Sequence, residues 1–146
     1  MSANHALIIA STFLWLGFVG AISFMEAWLK FRAPGITLPL GLGIGQLIFH
    51  ALNIVEWVFL TFIIINLFLR HGFAYQSYYL WWIIPTVLLI LQTVWLLPAL
   101  DARAEMHIQG EIVPPSKIHL VYVLFEILKV SCLLTFGIQL FKKFTL

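Results

Sequence analysis

The sequence predicts an all-α polytopic membrane protein, a bundle of four transmembrane helices. Three observations carry that fold class. The 146 residues are 62% hydrophobic and only 10% charged, with a mean hydropathy of +1.03, whereas a soluble domain carries about 25% charged residues. The apolar residues gather into four stretches of about 20 residues, the length that crosses ~30 Å of hydrocarbon at about 1.5 Å per residue. Within each stretch the apolar character is continuous, without the alternation of a barrel strand. Backbone groups in lipid must be satisfied within the segment, so each stretch is a helix. Eight basic and six acidic residues cannot clothe a soluble globule of this size. That excludes a soluble enzyme domain, a nucleic-acid binder and a disordered tail. The formal charge of +2 is too small to act at a distance.

The first helix is expected at about 6–28. The residues before it, Met1-Ser2-Ala3-Asn4-His5, hold no Lys or Arg, so it reads as a retained span and not as a cleavable signal. The second is expected at about 45–69. Between them, Ala33-Pro34-Gly35 is a turn signal, and the apolar but glycine-rich run from Pro39 to Gly45 reads as an interfacial or re-entrant lead-in. Gly17 with Ala21, and Gly41 with Gly45, are small-xxx-small pairs that let helices approach closely. The third helix is expected at about 79–100, entered through Tyr75, Tyr78, Tyr79, Trp81 and Trp82, which with Trp28 read as headgroup-level anchors. The fourth is expected at about 118–141. The whole chain, 1–146, reads as one integral membrane domain in contact with a lipid bilayer.

Four crossings put both termini on one side, with the loop near 70–77. The segments 30–44 and 101–117 lie on the other side. Arg70, Lys142 and Lys143 on the first side face Lys30, Arg32, Arg103 and Lys117 on the second, a balance too even for the positive-inside rule to orient. The location implied is a multi-pass protein of a bacterial inner membrane. Cys132, the one cysteine, lies in an apolar run and excludes an internal disulfide.

The informative residues are the polar ones within the spans, each costing about 2.5–3.5 kcal/mol at the bilayer centre and so turned towards protein or water. Helix two carries His50, Asn53 and Glu56 at spacings of three. Helix four carries His119, Tyr122, Glu126 and Lys129 at spacings of three, four and three. Helix three adds Gln92. Glu56 lies about 9 Å beyond His50, and Glu126 about 10 Å beyond His119. Two helices entered at equal depth would then bring the histidines into one layer and the glutamates into a deeper one, with Lys129 neutralising either carboxylate. The expectation is a polar cleft that binds or passes a small solute, ion or proton, with Asp101, Arg103 and His107 at its mouth. The bland alternative is structural: Glu126 and Lys129 neutralise each other, a protonated Glu56 is a neutral hydrogen-bonding group, and the cluster only ties helices together.

Enzymatic readings are weaker. Facing helices can hold carboxylate-bridged metals, but no Glu-x-x-His pair occurs and a His-to-Glu offset of about 9 Å is too long for one ion, so no metal ligands are assigned. Haem b between His50 and His119 is the cofactor alternative. No Gly-x-Ser-x-Gly motif occurs, Ser11, Ser23 and Ser131 have no adjacent base, and Cys132 has only Lys129 nearby. The chain reads as non-enzymatic, with an accessory or assembly subunit of a larger membrane complex, or a homo-oligomer, as the next alternative.

Two resemblances add to this. The run Phe24-Met25-Glu26-Ala27-Trp28-Leu29-Lys30-Phe31-Arg32-Ala33-Pro34-Gly35, then Gly45-Gln46-Leu47-Ile48-Phe49, resembles small, largely uncharacterised bacterial four-helix membrane proteins. Leu97-Pro98-Ala99-Leu100-Asp101-Ala102-Arg103 and His119-Leu120-Val121-Tyr122, with Glu126 and Lys129, fit the same pattern. It implies four helices and no particular activity. Asn53-Ile54-Val55-Glu56 is similar to the Asn-x-x-Glu element of the membrane-associated eicosanoid and glutathione metabolism family. That likeness implies a trimer binding glutathione between subunits, near Asn53 and Glu56. Phe49, His50 and Leu52 stand where that family places arginines.

Overall fold

The fold is that of a computed structural model describing residues 3–71 and 80–145. Its described residues form four long apolar helices and no strand: α1 (Asn4–Arg32), α2 (Leu38–Phe68), α3 (Leu80–Ile108) and α4 (Ile118–Lys143). Each is long and apolar enough to cross a bilayer, and the chain is an integral membrane protein. Helices adjacent in sequence pack side by side, and α4 closes the ring on α1. The ends of α1 and α3 meet the starts of α2 and α4 around one cavity, as alternating directions require. The outward faces are apolar, with Leu47, Ile54, Val58 and Val94 among the most exposed side chains. This reverses the soluble pattern, because here the outer solvent is hydrocarbon.

Two boundaries differ from the sequence expectation. Residues 38–44 are not a re-entrant lead-in but the first turns of α2, whose helix begins at Leu38. Pro39 is tolerated there because a first-turn amide has no intrahelical acceptor. Gly41 is required by packing, since any side chain would overlap the Phe31 ring, and Gly45 lies against the Lys30 amine. The glycines therefore seat the end of α1 on α2, whereas Gly17 has nothing within 4 Å of where a side chain would start. At the other boundary α3 runs past Leu100 to Ile108 and ends at Gly110, which adopts a positive φ of 75°. Its last two turns, Asp101–Ile108, are rich in helix formers although no longer apolar. Tyr75, Tyr78, Tyr79 and the expected loop from residue 72 lie outside the described residues.

Two π-helical turns interrupt the α-geometry, at Gly20–Glu26 in α1 and Gln92–Leu96 in α3. In the second, the Leu97 amide bonds back five residues to the Gln92 carbonyl. Pro98 follows at once and has no amide to give the Val94 carbonyl, which favours the wider turn. The interior is layered. Trp15, Leu60, Ile63, Leu89, Leu133 and Phe136 form one apolar layer. Leu96, Leu97 and Tyr122, with Phe49 and Ile118, form a second nearer the cavity. The charged residues lie between the two.

Candidate functional site

All four helices send one polar group or more into a single buried cluster. Glu56 of α2 accepts at Oε1 from the Trp15 indole of α1 at 2.9 Å and from Lys129 Nζ of α4 at 2.5 Å. Lys129 also donates to Glu126 Oε1, one turn back on α4, at 2.9 Å. Gln92 of α3 donates through Nε2 to the same Glu126 oxygen. None of the five side chains' residues is more than 2% exposed. The spacing explains the convergence on α4: Glu126 and Lys129 lie three residues apart, about 60° from a full turn, so both face inward. On α3, Gln92 faces α4 and the adjacent Thr93, about 100° further round the helix, faces α2.

The charge count of this cluster is unbalanced. Two carboxylates and one ammonium, all ionised, leave one negative charge inside a hydrocarbon layer, where an uncompensated charge is strongly disfavoured. The hydrogen-bond count has a matching gap. Glu126 Oε2 and Gln92 Oε1 are buried and have no hydrogen-bond partner among the described residues. Both are acceptors, and both belong to the two planar groups already joined through Gln92 Nε2. One hydrogen on Glu126 Oε2 removes the excess charge and supplies a donor where two acceptors lack one. Glu56 is the carboxylate that takes both the indole and the ammonium.

The remaining expected site residues disperse. Every three residues along a helix fall about 60° short of a full turn, so His50, Asn53 and Glu56 fan over about 120° of α2. Asn53 turns to Thr93 of α3, donating through Nδ2 at 2.9 Å. The Trp57 indole donates to the same hydroxyl at 3.0 Å, and Thr93 passes its own hydrogen to the Leu89 carbonyl at 2.8 Å. His50 is half exposed and meets Asp101 Oδ2 at 2.6 Å. Asp101, Arg103, His107 and His119 line a cavity of about 290 Å³ at the end where α1 and α3 finish. His50 is not part of the lining.

His50 meets Asp101, while His119 faces the cavity that Asp101 also lines. Among the described residues no three His, Cys, Asp or Glu side chains are placed to hold a metal ion. Asn53 and Glu56 point to different neighbours within one chain, to Thr93 and to Trp15 with Lys129.

The cavity and the buried cluster are separated by a ring pair. Phe49 lines the cavity and meets Tyr122 edge to face, with centroids 5.4 Å apart and planes at 77°. Tyr122 stands one turn before Glu126, within electrostatic reach of both glutamates and beside Ser23. The expected single cleft is thus two compartments with an aromatic partition. Sequence reasoning passed over Trp15 and Thr93. The signal for Trp15 was available, since a buried indole N–H requires an acceptor. Thr93 had none, because a threonine within a span commonly bonds its own helix. No protein-family model, no curated protein and no solved structure matches the chain.

Proposed function

We propose that this protein binds and passes a proton within the bilayer, using Glu126 as the exchangeable carboxyl and the Glu56–Lys129 pair as its fixed counterpart. The observation that carries the reading is the coincidence of two deficits at one place: a cluster one positive charge short of neutrality, and two buried acceptors without a donor. The cavity gives access from one membrane face, and rotation of the Phe49 or Tyr122 ring would join it to Glu126. Beyond the cluster, the layer of Trp15, Leu60, Leu89 and Phe136 closes the other direction. Passage across the membrane therefore needs that layer to part, whereas exchange with the cavity face does not.

The setting proposed is a multi-pass protein of a bacterial inner membrane, with both chain ends on the face opposite the cavity. Proton movement into proteoliposomes under an imposed potential tests the function. The protein is expected to carry protons above the rate of empty vesicles, and Glu56→Gln and Glu126→Gln are expected to insert normally and lose that flux. Undiminished flux in both variants refutes the reading. An outward groove on α2, lined by Ile54, Trp57, Val58, Thr61, Phe62 and Ile65, favours a second reading, as a subunit packed against another membrane helix. Stoichiometric co-purification of a partner in mild detergent would support it, and a sharp monomer peak would count against it.

A further inference from the structure

The cavity itself has an electrostatic character that proton exchange does not use. Its charged lining falls into two sets. Lys30 is neutralised by Glu26 at 3.2 Å and held between the Phe31 and Phe49 rings, 5.5 Å from each centroid. Asp101, the one carboxylate among the described residues of the lining, is turned onto His50 at 2.6 Å. Arg103, His107 and His119 form the second set. Arg103 gives one N–H to the Pro114 carbonyl at 2.6 Å and meets no carboxylate among the described residues. A guanidinium has five N–H groups, so most of its donor capacity is unspent. Each imidazole offers at least one N–H in any protonation state.

The first turn of α4 adds to these donors. Ser116 lines the cavity and accepts from the Ile118 amide at 3.2 Å, which places the α4 N-terminus at the same wall. The first amides of a helix have no partner within it and carry the positive end of its dipole. A guanidinium, two imidazoles and a helix N-terminus face one space, none of them paired with a carboxylate among the described residues, and together they form a complement to an oxyanion.

We propose that the cavity binds a phosphate-type oxyanion, held by Arg103, His107, His119 and the first turn of α4. The group comes either from a lipid headgroup or from a free anion, since the donors recognise the oxyanion and not what it is attached to. The apolar part of the wall, including Leu42 and Leu100, would accompany the carbon attached to the oxyanion. This proposal is independent of the proton-binding reading, because none of its residues belongs to the buried cluster.

Native mass spectrometry of the full chain in detergent, titrated with inorganic phosphate and separately with phosphatidylglycerol against phosphatidylcholine, tests it. One anionic probe is expected to bind at one per chain, and zwitterionic phosphatidylcholine is not. Phosphate binding identifies a free anion as the source, and phosphatidylglycerol binding without phosphate identifies a headgroup. Arg103→Gln and His119→Gln are each expected to weaken binding about tenfold, and Lys142→Gln at the opposite end to leave it unchanged. His119 makes no hydrogen bond to the rest of the protein among the described residues, so its variant tests the site even if Arg103→Gln disturbs the α3–α4 loop. Failure of both probes to bind overturns the proposal. So does wild-type affinity in His119→Gln, or an equal loss in Lys142→Gln. The proton-flux variants Glu56→Gln and Glu126→Gln are expected to keep anion binding, so either claim fails separately.

Discussion

Lys129 is the residue on which the buried cluster turns, because both glutamates use the same ammonium. Its removal leaves the Glu56 carboxylate buried without a counter-charge beside a protonated Glu126. Lys129→Met is expected to destabilise the protein by about 3–5 kcal/mol, the scale for breaking a buried pair from one side. Adding Glu56→Gln to that variant is expected to recover most of the loss, because it removes the orphaned charge. Glu126→Gln should be far milder, since it leaves the neutral Glu56–Lys129 pair with its indole donor. Unfolding followed by tryptophan fluorescence in detergent ranks the three. If Glu126→Gln costs as much as Lys129→Met, the cluster is an all-or-none structural tie and Glu126 holds no separable proton. Trp15→Phe keeps most of the ring volume and removes one donor to a charged acceptor. Its expected cost is about 1.5–3 kcal/mol on the same assay.

The helices are positioned by packing details that decide which polar groups meet. At Gly137 of α4, the place of a side chain would lie 3.0 Å from Phe13 Cζ of α1, so this glycine sets the spacing of the two helices that bring Trp15 and Lys129 to Glu56. Gly137→Leu is expected to destabilise by about 1–3 kcal/mol, as overpacking does, and to alter Trp15 fluorescence by displacing its indole from Glu56. An unchanged emission spectrum would show that α1 and α4 tolerate the wider spacing. Much at this scale was legible in the sequence. The four spans followed from unbroken apolar runs, and Glu126 with Lys129 shared a face by spacing alone. What escaped was local geometry. The rotation accumulated over six residues separates His50 from Glu56, a drift that counting in threes conceals. The π turn at Gln92–Leu96 has no composition signal beyond Pro98. Gly41 and Gly45 read as a pair that lets helices approach closely, and what they admit is the end of α1. The run Asp101–Ile108 is polar enough to read as a loop, and its helix formers outweighed that.

At the scale of the molecule, the layers run from a polar-lined cavity, through an aromatic partition and a charged middle, to an apolar block. This asymmetry makes one face the entrance. Epitope tags at the two chain ends are expected to be accessible from the same membrane face in spheroplasts, and a tag inserted at Glu111 of the α3–α4 connection from the opposite face. Tags at the chain ends appearing on different faces would break the alternating topology. The central claim is narrower: the middle layer holds one proton on a carboxyl. Infrared spectroscopy of the detergent-purified protein at neutral pH measures it most directly, through the carbonyl stretch of a protonated carboxylic acid. One such band is expected, shifting in heavy water and vanishing in Glu126→Gln. A spectrum without that band, or one in which it survives in Glu126→Gln, would contradict the account.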